Sequence, residues 1–333
     1  MSDGLLLAGF VAAATVSLFT SWLLVTRLER VGARLGLTEA LLGMLAALAA
    51  DAPEITSAVT ALAGGHTRIG AGVVIGSNVF NLAALLGLAS VLAGRIALHR
   101  RVIVMEAGVA LAVASICVAA VTTLVPAAVA LALVVCVLAP YLLALGLPHD
   151  RLVRLGLPDR WARWLREAIR EEEQELEVAI HPERGHARDV VVAGVAVLVV
   201  VAASIAMEQA ASKLGARHGV PEIVVGGLVL AAVTSLPNAV AAVYLARRGR
   251  GAATLSTAMN SNALNVAAGL LAPATAVGLG GASGQSTLIA VWYLALTAFA
   301  LGCAYSAGGL RRVHGALIIC VYVAFVIVLI ASS

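Results

Sequence analysis

Residues 50–59 read ADAPEITSAV, which places two carboxylates, Asp51 and Glu54, on either side of Pro53 within a long apolar segment. An ionisable side chain at the centre of a bilayer costs roughly 2.5–3.5 kcal/mol on insertion scales, so such residues usually mark a functional site. A structural ion pair would need a buried Arg or Lys, and no centre of an apolar segment contains one. The stretch therefore predicts a cation site inside a membrane protein.

The composition supports a membrane location. Of the 333 residues, 61% are apolar and 12% are charged, and the mean hydropathy is +1.01. Soluble domains have about half apolar and a quarter charged residues. These values exclude a disordered chain, a collagen, a nucleic-acid-binding protein and a water-soluble enzyme. The four cysteines lie in apolar runs with no CxxC pair, which predicts buried apolar residues and no metal site.

The apolar runs predict the fold class. A membrane-spanning helix needs about 20 mostly apolar residues. Ten segments meet that length, and their apolar residues are continuous and not alternating, which favours helices over a β-barrel. We therefore predict an all-α membrane protein with ten transmembrane helices. The predicted spans are 4–25, 36–63, 69–93, 102–121, 124–146, 189–212, 221–245, 252–276, 286–305 and 313–331.

The basic residues predict how these spans are oriented. Of the 22 Lys and Arg residues, 19 fall in odd-numbered connections and three in even-numbered ones. Basic loops stay on the cytoplasmic side of a membrane. We therefore predict a protein of the plasma (cytoplasmic) membrane with both termini outside and the long 147–188 loop in the cytoplasm.

The 147–188 loop contains PDRWARWLREAIREEEQELEV, whose apolar residues recur at helical spacing. The pattern predicts an amphipathic helix at the membrane surface. Its acidic end, Glu171–Glu177, is interpreted either as a solvated tail or, together with His181 and His186, as a regulatory cation-binding segment.

The two halves of the chain resemble each other in three pairs of segments. The pairs are ARLGLTE at 33–39 with ARHGVPE at 216–222, ADAPEITSAV at 50–59 with TSLPNAVAAV at 234–243, and GSNVFN at 76–81 with NSNALN at 260–265. From the prolines to the last asparagines the offset is 184 without a gap. Chance similarity of apolar helices explains shared Leu and Ala, but not Pro, Ser and Asn at fixed spacing.

This repeat predicts the organisation of the chain. Each copy contains five spans, and an odd number makes the second copy enter from the opposite side of the membrane. Such inverted repeats bind their substrate where the copies meet, near the bilayer midplane and beside broken helices. We predict a first repeat over 1–146, the cytoplasmic loop over 147–188 and a second repeat over 189–333.

The prolines predict where the cation ligands lie. Each proline removes a helical hydrogen bond, so the carbonyls four residues earlier lose their partners. In hydrocarbon these carbonyls must find another partner, and hard cations such as Na⁺ and Ca²⁺ take carboxylate, carbonyl and amide oxygens. Asn and Ser also hold membrane helices together, which is the alternative role for single members of the set. The predicted cation ligands are Glu54, Asp51, Asn81, Ser77, Asn238, Thr234, Ser235, Ser261 and Asn265, with the backbone carbonyls of Ala49 and Val233.

At these residues the chain resembles the sodium/calcium exchanger superfamily of cation antiporters. The core of that family's repeat reads approximately GTSLPE followed by GSNxxN. The copies here are AADAPE at 49–54 with GSNVFN, and VTSLPN at 233–238 with NSNALN. The resemblance covers almost the whole chain, and it implies alternating access, with spans 1 and 6 sliding across a rigid core.

The resemblance also implies roles for single residues. It makes Glu54 the principal carboxylate and places Ser77 and Asn81 among the ligands, with Ser261, Thr234 and Ser235 as their counterparts.

The chain departs from the family pattern at three positions. Asn238 replaces the usual glutamate of the second repeat, Asn265 stands where a carboxylate is often found, and Asp51 replaces the usual serine. Both acids therefore come from one repeat.

We expect a secondary active antiporter that exchanges Ca²⁺ against Na⁺ (or H⁺). Two adjacent carboxylates in a low-dielectric site cannot both stay ionised without a cation, so proton uptake would accompany release of the metal. Neither an enzyme activity nor a cofactor is expected. The expected partners are inorganic cations and the lipid bilayer, without nucleic acid. The alternatives are a Na⁺/H⁺ antiporter on the same fold and a sensor or scaffold that does not transport.

Overall fold

The structure is a computed structural model that describes residues 2–35, 47–146, 154, 158–177 and 186–332. Within them the chain is almost entirely helical, with two short strands and three π-helical segments. The helices are α1 (Asp3–Leu35), α2 (Ala52–Ala63), α3 (Thr67–Asn81), α4 (Ala89–Ala93), α5 (Arg100–Val121), α6 (Ala127–Gly146), α7 (Asp159–Glu177), α8 (Ala187–Arg217), α9 (Glu222–Val224), α10 (Ala231–Thr234), α11 (Leu236–Arg247), α12 (Gly251–Leu264), α13 (Ala272–Val277), α14 (Gly284–Ala307) and α15 (Arg312–Ala331). The strands are β1 (Arg95–Ala97) and β2 (Gly309–Arg311), and the π-helical segments are Leu82–Leu88, Val225–Leu230 and Asn265–Leu271.

Seven helical spans of the described residues are long and apolar enough to cross a membrane. An eighth is the pair Glu222–Thr234 and Leu236–Arg247, which is bent by 47°. Helices also cover part of the predicted spans 36–63 and 252–276, which are not among these eight. A helical membrane protein is therefore confirmed, and the count of ten spans stays a prediction.

Helices α1 and α8 pack side by side in opposite directions. At one end the Arg27 guanidinium lies 2.8 Å from the Asp189 carboxylate, and at the other end Arg217 lies 2.8 Å from Asp3. The surface of this pair that faces away from the bundle carries large exposed apolar side chains, which suit a lipid environment.

The centre of the molecule is built on close backbone contact. Helix α3 is buried along almost its whole length and crosses the π-helical segment Val225–Leu230. A Cβ atom at Gly76 would overlap the backbone of Gly227, and one at Gly226 would overlap the carbonyl of Ile69. Small residues allow membrane helices to approach this closely, so these glycines bring the polar residues of both halves together.

Both proline segments interrupt a helix, as the sequence predicts. The interruption falls on Asp51, with φ −80° and ψ −6°, and on Ser235, with φ −82° and ψ −3°. These residues are 184 positions apart, so the two repeat copies have the same backbone geometry at the break. In both copies proline then occupies the first turn of the next helix, where a missing N–H costs nothing.

The two strands are a small departure from the predicted all-α fold. They pair antiparallel, with Arg95 opposite Arg311 and Ile96 opposite Leu310. Gly309, opposite Ala97, has φ 127°, and a side chain there would overlap the carbonyl of Ile96. This three-residue ribbon joins the α4–α5 connection of the first half to the α14–α15 turn of the second, a contact that hydropathy does not reveal.

The amphipathic pattern after residue 158 forms helix α7, as predicted. Its apolar face is covered by protein: Ala162, Ala168 and Ile169 are fully buried in a cluster with Met105 and Tyr141. His186 caps the start of α8, where its backbone N–H donates to Asp189. The side chains of 171–177 and all of His181 lie outside the described residues.

Candidate cation-binding site

The two carboxylates of the site lie at the first helix interruption. Asp51 and Glu54 are fully buried, and they lie three residues apart at the start of α2, with Pro53 between them. Residues three apart share one face of a helix, and the positive end of the helix dipole favours negative charge there. The local sequence therefore aims both acids into the same space.

The second half of the chain supplies the hydrogen bonds to Asp51. Its Oδ1 accepts from Asn238 Nδ2 at 2.6 Å and from Ser261 Oγ at 2.7 Å. Asn238 follows Pro237 on α11, and Ser261 lies on α12.

Glu54 is held in the same way by two other residues. Its Oε1 accepts from Ser235 Oγ at 2.6 Å, and its Oε2 accepts from Asn265 Nδ2. The residue equivalent to Asp51 by the repeat, Ser235, thus contacts Glu54. The residue equivalent to Glu54, Asn238, contacts Asp51.

Amide side chains join the two repeat copies beside the carboxylates. Asn78 Nδ2 donates to the carbonyl of Asn262 and Asn262 Nδ2 donates to the carbonyl of Asn78, both at 3.1 Å. A reciprocal contact between residues 184 positions apart is what a two-fold relation between the copies produces. Asn81 Nδ2 donates to Ser261 Oγ at 3.2 Å and to Asn262 Oδ1 at 3.0 Å.

Within the described part of the chain, three buried oxygens of this cluster have no hydrogen-bond partner: Asp51 Oδ2, Asn81 Oδ1 and Asn265 Oδ1. Unpaired buried polar atoms are rare in folded proteins and call for a ligand, an ion or strain to explain them. No Lys, Arg or His of the described residues forms an ion pair with either carboxylate. The cluster is thus an oxygen-lined space that contains two carboxyl groups.

The chemistry of these side chains favours hard cations. The described residues contain no group of three or more His, Cys, Asp or Glu side chains that could hold a metal. Oxygen ligands from carboxylate, hydroxyl and amide groups suit Na⁺ and Ca²⁺ better than transition metals.

The remaining predicted ligands also form hydrogen bonds within their own helices, and the Ser77 side chain in addition interacts with Glu54. The hydroxyls of Ser77 and Thr234 donate to carbonyls of their own helices, at 3.0 Å from Val74 and 2.9 Å from Leu230. Both side chains are fully buried. Val233 is half-buried next to the second break.

The freed carbonyl of Ala49 has a partner that sequence reasoning missed. Ser21 Oγ on α1 donates to it at 2.9 Å. The repeat offers a signal, because Ser21 and Ser204 are separated by 183 positions, the offset between ARLGLTE and ARHGVPE. Ser204 does not repeat the contact: its hydroxyl lies 3.2 Å from Ser17 Oγ. The two copies therefore differ at the break: α1 donates a hydrogen bond to the first break through Ser21, whereas the equivalent Ser204 on α8 contacts α1.

A helical membrane protein with a buried, oxygen-lined acidic site belongs to the class of cation transporters. The chain matches the sodium/calcium exchanger protein family over residues 5–148 and 189–331. It therefore belongs to that family of membrane cation exchangers, which are transporters and not enzymes. No curated protein matches the chain in sequence.

Solved structures share the fold at low sequence identity. The chain is similar to the H⁺/Ca²⁺ exchanger CAX, with a TM-score of 0.67 and 13% identity over 98% of this chain and 86% of CAX. It is similar to native YfkE, with a TM-score of 0.65 and 15% identity over 99% of this chain and 93% of YfkE. The sodium-calcium exchanger NCX_Mj gives a TM-score of 0.57 at 17% identity over 97% of this chain and 98% of that protein.

Proposed function

We propose that the protein is a secondary active antiporter that exchanges Ca²⁺ against Na⁺ or H⁺ by alternating access. The observation that carries the proposal is the set of unpartnered buried oxygens, Asp51 Oδ2, Asn81 Oδ1 and Asn265 Oδ1, beside two carboxylates without a basic partner. A dehydrated cation satisfies such oxygens and neutralises the charge. Glu54 and Asp51 bind the cation, and the other oxygens complete its coordination shell.

The charge of the site suggests the stoichiometry. Two carboxylates give a charge of about −2 when both are ionised, and a buried net charge opposes any movement through a low-dielectric region. One Ca²⁺ or two monovalent ions cancel it. The exchange is therefore one Ca²⁺ for two Na⁺ or two H⁺, which moves no net charge.

The architecture we propose is the inverted repeat with ten spans. It is supported by the matching breaks at Asp51 and Ser235 and by the reciprocal contact between Asn78 and Asn262. Both termini lie outside the plasma membrane, and α1 and α8 slide together over the rest of the bundle.

A second candidate is a Na⁺/H⁺ antiporter on the same fold. It is favoured by Asn238 and Asn265, which replace the second-repeat carboxylates of the family pattern by neutral amides. Fewer charges suit a monovalent ion, because ligand charge count sets much of the affinity for Ca²⁺.

The test is ion flux in liposomes that contain the purified protein. Uptake of radioactive Ca²⁺ is followed under an outward Na⁺ gradient and, separately, under an outward H⁺ gradient. We expect one of these gradients to drive Ca²⁺ uptake at a rate that does not change when the membrane potential is clamped at different values.

The other outcomes separate the alternatives. Uptake of radioactive Na⁺ driven by an outward H⁺ gradient, without any Ca²⁺ uptake, would establish the monovalent exchanger. Absence of flux under every gradient, in protein that still binds Ca²⁺ or Na⁺, would leave a sensor or scaffold. Protein-free liposomes are the control for leakage.

A further inference from the structure

Helix α8 carries a second buried carboxylate that the cation site does not use. Glu208 is 3% exposed, and its Oε1 has no hydrogen-bond partner. Burying a carboxylate without a partner is costly, so a group in this state marks a place where an ion or water completes the contacts.

The position of Glu208 relative to the cation site follows from its helix. Ser204, one turn earlier on the same face, lies beside Ser17 on α1. One turn further along α1, Ser21 contacts the carbonyl of Ala49 next to the acids. Because α1 and α8 run in opposite directions, Glu208 lies about two helical turns from the level of the Ser21–Ala49 contact, towards the Asp3 end of α1.

Glu208 is displaced from the cation site towards the α2–α3 connection. His66, in this connection, and Lys213 are basic side chains close enough to the Glu208 carboxylate to interact with it electrostatically. His66 Nδ1 lies 3.1 Å from Glu222 Oε1, and both side chains are 46% exposed. Glu208 thus stands between the site and the surface that carries His66 and Glu222, which we name the His66 surface.

Helix α2 offers a second polar group on the same route. Ser57 lies three residues after Glu54, on the same face of α2, and α2 packs against α8. Its hydroxyl is fully buried and has no hydrogen-bond partner. The helix between the acids and the His66 surface thus carries one unpartnered hydroxyl, and the facing helix carries one unpartnered carboxylate.

The opposite end of α8 shows what a structural acid looks like in this protein. Asp189 is buried as deeply as Glu208, but it accepts from Arg27 at 2.8 Å and from the backbone N–H of His186 at 2.7 Å. The Asp189 contacts hold α1 and α8 together. Glu208 forms no such bond to any residue that the structure describes, so holding helices together does not account for it.

We propose that Glu208, together with Ser57, is a second, transient cation position through which ions pass between the central site and the His66 surface. One carboxylate and one hydroxyl replace only part of a hydration shell, so the ion there keeps most of its water and binds more weakly than at Glu54. The proposal rests on the proposed function, since it requires cation flux through the centre.

The test is the apparent cation affinity measured separately at the two faces of the membrane. Glu208→Gln keeps the size of the side chain and removes its charge. We expect the Ca²⁺ concentration for half-maximal exchange to rise about tenfold at the His66 surface, with the value at the other face and the maximal rate within about twofold of wild type. Inverted and right-side-out vesicles present the two faces, and reaction of His66→Cys with an impermeant thiol reagent identifies the His66 surface.

Matched variants separate this role from general effects. Glu222→Gln removes one exposed negative charge from the same surface, which salt screens over about 8 Å, and should leave the affinity within about twofold. Glu208→Asp should retain most of the wild-type affinity at that face, and Ser57→Ala should raise the half-maximal concentration there by about threefold.

Two results would overturn the proposal. One is an equal affinity change at both faces in Glu208→Gln, and the other is wild-type affinity at the His66 surface in that variant. Absence of exchange in the wild-type protein would instead contradict the proposed function.

Discussion

The two helix breaks have the same backbone and different chemistry. Asp51 and Ser235 have φ and ψ within a few degrees of each other, and a proline follows each by two residues. The first copy, however, supplies both carboxylates, and the second supplies hydroxyl and amide donors. Proline geometry therefore shapes the break independently of the charge placed on it.

The comparison also explains how the folded protein tolerates two carboxylates buried next to each other. Each carboxylate accepts its hydrogen bonds from the opposite repeat, Asp51 from Asn238 and Ser261, Glu54 from Ser235 and Asn265. Donors stabilise a buried charge only in part. The remaining cost is what makes the site attract a cation.

The largest difference between the two copies should appear when the principal charge of the first copy is removed. Glu54→Gln should reduce Ca²⁺ exchange by roughly 100-fold or more, because a neutral amide cannot replace the charged ligand of a divalent ion. Uptake of radioactive Ca²⁺ into liposomes measures the loss. Glu167→Gln, which alters an exposed acid of α7 paired with Arg101, is the control and should retain wild-type exchange. Intact exchange in Glu54→Gln would show that the site is wrong.

The next test makes the two copies alike. Asp51→Ser with Asn238→Glu gives each copy the pattern Ser-x-Pro-Glu and keeps two carboxylates. Asp51→Ser alone leaves one carboxylate in the site, and we expect its Ca²⁺ exchange to fall by roughly tenfold or more. The double variant should recover part of this loss. The same flux assay compares the three proteins. A double variant no better than Asp51→Ser would mean that the position of the charges matters and not only their number.

A smaller effect is expected from the contact between α1 and the first break. Ser21→Ala leaves the Ala49 carbonyl without its side-chain partner, and an unsatisfied buried acceptor costs about 1–3 kcal/mol. Thermal unfolding in detergent should show a lower midpoint for Ser21→Ala than for its repeat equivalent Ser204→Ala, which loses only the contact to Ser17. Equal midpoints would show that the two breaks are supported in the same way.

The smallest effect concerns the reciprocal amide pair. Asn78→Ala and Asn262→Ala should each lower the free energy of unfolding by about 0.6–1.7 kcal/mol, the range for hydrogen bonds between membrane helices. Each substitution removes one side-chain donor and keeps the backbone carbonyl that accepts from the other residue, so the losses should be nearly additive in the double variant. An unchanged free energy of unfolding in either single variant, measured by denaturant unfolding, would contradict the reciprocal contact.

Much of the fold could be predicted because membrane helices leave strong local signals. Apolar length predicted helices such as α5, α6 and α14, and proline predicted the interruptions near Asp51 and Ser235. The β1–β2 ribbon was missed because three-residue strands have no periodicity of their own. The burial of α7 against Met105 and Tyr141 was missed because an amphipathic face looks the same whether protein or lipid covers it.

The candidate site was predictable to a different degree for acids and for neutral residues. Two carboxylates in an apolar segment are conspicuous because burial makes them expensive. Ser21 is not conspicuous in the sequence, because a serine in a membrane helix can donate a hydrogen bond to its own backbone and shows no preference for a distant carbonyl. Asn78 and Asn262 likewise carry no signal that separates a helix-joining amide from a ligand such as Asn81.

The order of residues alone establishes what depends on neighbours along the chain: the membrane location, the helical class, the prolines that interrupt two helices and the pair of acids beside one of them. Which donor reaches which oxygen depends on residues separated by 181 to 211 positions, and only the packed helices determine it. The physical reason is that hydrophobicity and backbone geometry are local, whereas a hydrogen bond exists only when two distant groups lie within about 3 Å of each other. The acids of one half and the donors of the other meet because glycines such as Gly76 and Gly226 let the two halves come into contact.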